Sequence, residues 1–240
     1  MKQKEKNRAP LIGIIMLDTT FPRIVGDIGN PDTFSFPVQY KVVAGAIPER
    51  VVIDADPLLL QPFIKTAQQL EREGVKAIGT SCGFLAMFQR ELNDSVAVPV
   101  YTSSLLQAHF FKTIIAKDQK IGILTARSQS LTSKHFVGVG IDIYPLAVFG
   151  MDDSEEFRSV FIEGKADIDI AKCRQEMVSA AKNLVSLHPD VGAIVLECTN
   201  MPPFAKDIQD VVNLPVFDVV TMINYIQAST RQQTFCTEHH

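Results

Sequence analysis

The stretch Val75-Lys-Ala-Ile-Gly-Thr-Ser-Cys82 returns at an offset of 116 residues as Val191-Gly-Ala-Ile-Val-Leu-Glu-Cys198. The same offset carries Pro99-Val100-Tyr101 onto Pro215-Val216-Phe217, and a slightly different one carries Ile12-Gly13-Ile14 onto Ile121-Gly122-Ile123. Buried parallel strands share a Val/Ile/Ala vocabulary by default, so a single match carries little. Several matches in the same order, with a cysteine repeated at the end of the longest, argue for a duplicated unit. The repeat divides the chain into a first lobe over 1–104 and a second over 105–220.

Working outward, Leu11–Leu17 reads as a buried strand. Leu58–Arg72 places Leu60, Phe63, Ile64, Ala67 and Leu70 at helical spacing, and Gly74 follows as a stop signal. Val75–Thr80 and Val96–Tyr101 read as strands, with a helix over Gly83–Leu92 between them. Lys120–Thr125 restarts the series. A long amphipathic helix covers Ile170–Leu187, then come a strand over Val191–Leu196, a helix over Pro203–Val211 and a strand over Leu214–Val219. This alternation predicts an α/β fold with parallel sheets. The stretch 18–38 holds Pro22, Gly26, Gly29, Pro31 and Pro37 without periodicity, which reads as a binding loop or lid.

The chain has 240 residues, 23 basic against 27 acidic side chains and no basic block. Nothing in that balance invites nucleic acid or an anionic membrane. The apolar run that follows the basic start is short, is closed by Asp18 and lacks a small-residue cleavage site, so it reads as a strand rather than a signal peptide. No run approaches the ~18 apolar residues that span a bilayer. A cytoplasmic protein is expected. There is no G-x-G-x-x-G and no P-loop to support nucleotide binding, and no CxxC pair to support a zinc ribbon.

Cys82 and Cys198 each end an apolar strand and open a helix. Ligands of open parallel sheets sit beyond the carboxyl ends of the strands. A helix N-terminus there offers free N–H groups and partial positive charge, which lowers a thiol's pKa and binds carboxylates. Two lobes related by a pseudo-twofold axis would face these thiols across a cleft. One thiolate would take the α-proton of a substrate and the other thiol would return a proton to the opposite face. Cys173 instead shares an apolar helix face with Ile170, Met177, Ala181 and Leu184, and Cys236 lies near a terminus. Beside the two cysteines, Asp18, Thr19, Ser81, Gly83, Phe84, Thr125, Arg127, Thr199 and Asn200 are the expected substrate-binding residues, their hydroxyls and guanidinium suited to a carboxylate. Glu197 has two readings, an aid to protonating Cys198 or a side chain turned away. Arg23 reads as a substrate anchor or a surface ion pair, and Asp27 and Asp32 as turn residues.

The motifs Gly79-Thr-Ser-Cys82-Gly-Phe and Leu196-Glu-Cys198-Thr199-Asn200 resemble those of the aspartate/glutamate racemase superfamily, which includes glutamate, aspartate and hydantoin racemases, arylmalonate decarboxylase and maleate isomerase. The resemblance implies two pseudo-symmetric flavodoxin-like lobes with the active site between them, a segment 221–240 crossing back to the first lobe, a homodimer, and catalysis without cofactor or metal. The sequence departs from glutamate racemases at Gly83-Phe84 (their Asn-Thr), at Asn200 (their His) and at Asp18-Thr19-Thr20 (their Asp-Ser). Those changes put glutamate itself in doubt. The expectation is a cofactor-independent racemase or epimerase of a small carboxylate, of amino-acid or hydantoin type, working through Cys82 and Cys198. The alternatives are a cysteine-dependent decarboxylase or cis–trans isomerase, and a non-catalytic binder of small carboxylates.

Overall fold

A computed structural model describes residues 9–232. Two four-stranded parallel sheets form its framework, in the strand orders β2-β1-β3-β4 and β6-β5-β7-β8. The first is built from β1 (Ile12–Met16), β2 (Val38–Val42), β3 (Ala77–Thr80) and β4 (Val100–Tyr101). The second is built from β5 (Lys120–Thr125), β6 (Leu146–Gly150), β7 (Val191–Leu196) and β8 (Val216–Phe217). Each lobe therefore repeats one topology, and the register repeats with it: Ile12 pairs with Ala77 as Ile121 pairs with Ala193. The α/β, two-lobed class read from the sequence is what the chain adopts.

The central strands β1, β3, β5 and β7 are continuous apolar runs because helices cover both their faces. Helix α1 (Leu60–Arg72) buries Phe63, Ala67 and Leu70, each large side chain contributing about 1.5–3 kcal/mol of burial. In the second lobe α6 (Ile170–Leu187) buries Cys173, Met177, Ala180, Ala181 and Leu184, the core position foreseen for Cys173. The short helices are α2 (Gln89–Asp94), α3 (Ala108–Ile114), α4 (Ser133–Gly138), α5 (Glu155–Phe161) and α7 (Ala205–Val212). Helix α8 (Val219–Thr230) packs Val219, Met222, Ile223 and Ile226 onto Ile12, Ile14 and Ala77 of the first sheet.

Several elements differ from their sequence reading. The segment after Cys82 is a 3-10 turn, Gly83–Phe88, before α2 begins. The expected strand Leu214–Val219 is only Val216–Phe217, because Asp218 caps α8 by accepting the Thr221 N–H at 2.7 Å. Strands β2 and β6 are partly exposed at the sheet edges, and their mixed composition hid them. Stretch 18–38 contains no helix, yet it is tied by side chains: Asp27 accepts the Gly29 N–H at 2.7 Å and Thr33 donates to the Asp27 carbonyl at 2.6 Å.

In both sheets the strand order reverses direction beside the first strand, which opens a crevice beyond the carboxyl ends of β1 and β3 and of β5 and β7. The two crevices face each other. Ser104 donates to the Leu196 carbonyl at 2.7 Å across the seam. Gly138 of α4 lies against the 3-10 turn so closely that a Cβ there would stand 2.2 Å from the Ala86 carbonyl oxygen.

Candidate active site

Chain leaving all four central strands lines one cavity. Leu17 and Thr19 follow β1, Ser81 and Cys82 follow β3, Ala126 follows β5, and Glu197 and Cys198 follow β7. The repeat thus delivers both thiols to the same space, with Arg23, Phe21, Phe84, Phe161 and Asn200 around them. Thr199 Oγ1 donates across the lobes to the Ser81 carbonyl at 2.6 Å, and within the first lobe Ser81 Oγ accepts the Leu17 N–H at 2.9 Å. Gly83 is needed for this closeness. A Cβ at that position would lie 2.2 Å from Glu197 Oε1 and 2.3 Å from the Glu197 carbonyl oxygen.

A polar chain runs from Cys198 into the first lobe. The Cys198 thiol donates to Asn200 Oδ1 at 3.4 Å, and Asn200 Nδ2 donates to Asp27 Oδ2 at 2.6 Å. The carboxylate only accepts, so it fixes which end of the amide faces the sulfur. Asp27 also pairs with Arg23 at 2.6 Å, and Arg23 donates to Thr19 Oγ1 at 2.9 Å while lying 4.7 Å over the Phe21 ring. Asp27 is therefore more than a turn residue. Its place in the site carried no sequence signal beyond lying in an unusually long loop with a single basic residue.

The thiols are not acidified in this state. Burial, and next the Glu197 carboxyl, push Cys82 up to about 12 despite N–H groups of Phe84 and Leu85 directed at its sulfur. The same two causes raise Cys198 well above the usual thiol range. The expected lowering by helix N-termini fails because the chain after each cysteine opens as a turn, and desolvation outweighs a few N–H groups. Glu197 is itself raised to about 7, chiefly by burial, against the pull of the Thr125 hydroxyl and the Ala126 N–H.

Of the residues expected to bind substrate, Thr19, Ser81, Gly83, Phe84, Thr199 and Asn200 line the cavity together with Cys82 and Cys198. Asp18, Thr125 and Arg127 do not. Asp18 is exposed and accepts the Gly45 N–H at 2.9 Å. Thr125 is buried behind the site, where it donates to Glu197 Oε2 at 2.8 Å. Ala126, just past the end of β5, meets the cavity, while Thr125 and Arg127 on either side of it do not. Sequence reasoning missed Phe21, Pro48, Val52, Phe161 and Ile162, which form the cavity's apolar rim. Phe21 and Phe161 meet edge to face at 5.2 Å, joining the two lobes over the site. The cavity's volume of about 30 Å³ holds one or two waters. Among the described residues no three His, Cys, Asp or Glu side chains converge as a metal requires, and no helix is long and apolar enough to cross a membrane. Cys236 lies outside the described residues.

The fold is that of the aspartate/glutamate racemase superfamily. An arylmalonate decarboxylase mutant in a sulfate-associated form superposes with a TM-score of 0.63 at 12% identity, covering 95% of this chain and 97% of that one. Allantoin racemase from Klebsiella pneumoniae gives 0.61 at 14% identity, over 95% and 96% of the two chains. No family model matches the sequence. Within this fold the chain belongs to the dimethylsulfoniopropionate lyase family. It is 33% identical over 221 residues to a dimethylsulfoniopropionate lyase of Durusdinium sp. clade D, covering 89% of this chain and 73% of that protein. It is 31% identical over 230 residues to dimethylsulfoniopropionate lyase 3 of Emiliania huxleyi, over 92% of this chain but only 60% of the longer relative. These relatives correct the expectation of a racemase or epimerase, and with it the isomerase class and the hydantoin-type substrate. The relatives are lyases, and the superfamily's two-cysteine pattern does not by itself separate proton return from bond cleavage.

Proposed function

We propose that this chain cleaves dimethylsulfoniopropionate, or a closely similar β-sulfonio carboxylate, by elimination. One thiolate removes a proton from the carbon next to the carboxylate. The C–H electron pair becomes the new C=C bond, and the Cβ–S pair leaves on sulfur. The products are dimethyl sulfide, acrylate and one proton. No proton returns to carbon, so a second base on the opposite face is not required, and the two cysteines are free to differ in role.

Two thiols facing one cavity of mixed character is the observation that carries this reading. Arg23 is the cationic side chain lining it and suits the substrate carboxylate. The rings of Phe84 and Phe161 suit a methylated sulfonium, which aromatic faces attract as they attract quaternary ammonium groups. A bound sulfonium also supplies the positive charge that would favour thiolate over thiol in this buried site. We assign the base to Cys82: its sulfur receives two backbone N–H groups, from Phe84 and Leu85, whereas Cys198 receives one, from Asn200, and donates its own proton to Asn200 Oδ1. The mechanism needs both cysteines as free thiols, and we place the reaction in a reducing compartment, the cytoplasm, which keeps them so.

Headspace chromatography of dimethyl sulfide, with proton NMR of acrylate, tests the proposal. Equimolar release of both products by wild type, lost in Cys82→Ser, is expected. A folded wild type that releases neither would overturn it.

A further inference from the structure

Glu197 is fully buried, yet its two carboxylate oxygens differ. Oε2 accepts the Thr125 hydroxyl at 2.8 Å. Oε1 is one of four buried side-chain polar atoms without a hydrogen-bond partner among the described residues. It points toward the turn that carries Cys82, since the place of a Gly83 Cβ would be 2.2 Å from it. The residue lines the same cavity as both thiols. A buried carboxylate oxygen left open is costly, so its retention beside a reactive thiol calls for a reason.

We infer that Glu197 is the proton acceptor for the Cys82 thiol. This rests on the elimination reading above and adds the step that reading lacks, the first destination of the thiol proton. Glu197 carboxylate takes the Cys82 S–H proton, leaving thiolate and a carboxylic acid. The thiolate then takes the substrate α-proton and becomes thiol again as dimethyl sulfide departs. Glu197 finally releases its proton to solvent, which is the one proton the elimination yields. Cys82, Cys198 and Arg23 are the titratable groups that line the cavity with it, and Asp27 is bonded to Asn200 and Arg23 behind them. The end of β5 presents the Thr125 hydroxyl, and the residue after it the Ala126 N–H.

Electrostatics and proton transfer predict opposite results for Glu197→Gln. Removing the negative charge makes Cys82 easier to ionise, so a purely electrostatic or structural Glu197 would leave activity equal or higher. As the acceptor, its loss lowers kcat about 10²-fold while the thiolate onset moves to lower pH. The test pairs thiolate absorbance titration with pH profiles of dimethyl sulfide release for wild type, Glu197→Gln and Glu197→Asp. The inference expects an earlier thiolate onset in Glu197→Gln, a large fall in kcat, loss of the rise in rate through neutral pH, and partial recovery in Glu197→Asp. Full activity in Glu197→Gln overturns it. So does a thiolate onset that the substitution fails to move, a readout that needs no substrate. A wild type inactive on dimethylsulfoniopropionate would therefore remove the substrate reading, while an unmoved thiolate onset would separately overturn the Glu197 assignment.

Discussion

Asp27 and Asn200 stand 173 positions apart in the chain and are joined by a 2.6 Å hydrogen bond at the rim of the thiol cavity. The bond turns the amide so that its oxygen receives the Cys198 S–H. One residue of the first lobe thereby sets the protonation preference of a cysteine in the second.

Replacing Asp27 with Asn removes the fixed polarity of that chain and the charge that pairs with Arg23. Turnover is expected to fall at least about 10-fold, as misoriented groups at a reacting centre do. Stability should drop by about 1–3 kcal/mol, from buried donors left short of an acceptor. Denaturant melts and dimethyl sulfide release measure the two effects separately.

Cys82→Ser should lower kcat about 10²–10⁴-fold, the usual range for a positioned base. A serine hydroxyl ionises far less readily than even a buried thiol. Cys198→Ser keeps a donor toward Asn200 and should cost less. Equal losses in both variants would contradict the division of roles proposed here.

Glu197 also links pH to stability. Its folded-state pKa of about 7 lies above the ordinary carboxylate value of 4.5. A raised value means that the folded state binds the proton more tightly. That contribution is fully present below pH 4.5 and lost as pH rises through about 7. Above that window wild type forgoes about 3 kcal/mol. Glu197→Gln should therefore melt higher than wild type at pH 8, and the gap should close toward pH 5.

Phe161→Ala would remove the edge contact to Phe21 that roofs the cavity. Alkylation of Cys82 and Cys198 by a small thiol reagent should accelerate, read by mass spectrometry. KM for the sulfonium substrate should rise, and truncating a buried Phe should cost about 3–5 kcal/mol of stability.

The duplicated Val75–Cys82 and Val191–Cys198 segments made the lobes and the paired thiols legible, because burial on both faces forces long apolar strands. The edge strands β2 and β6 were illegible for the converse reason: half-exposed strands have no such run. At the site, residues adjoining the cysteines in sequence, such as Thr199 and Asn200, were found where expected. Thr125 and Arg127 were placed by analogy between repeats, but Thr125 is spent on the Glu197 carboxyl and Arg127 lies outside the cavity lining. Phe21 and Phe161 meet only in the folded chain, and nothing local announces a ring that will roof a site. The step from racemase to lyase lay beyond the motifs, since one pair of thiols serves either chemistry.

The close approach of Gly138 to the Ala86 carbonyl, with Ser104 bonded to Leu196 and Thr199 to Ser81, leaves little slack along the seam. A cavity sized for one or two waters must nevertheless admit a larger solute. Widening it by swinging the lobes apart would break every one of those contacts at once. The 18–38 loop adds the Asp27–Asn200 bond and the Phe21–Phe161 ring contact to that seam. Solute size thus becomes a filter set by how many cross-lobe contacts must part at once.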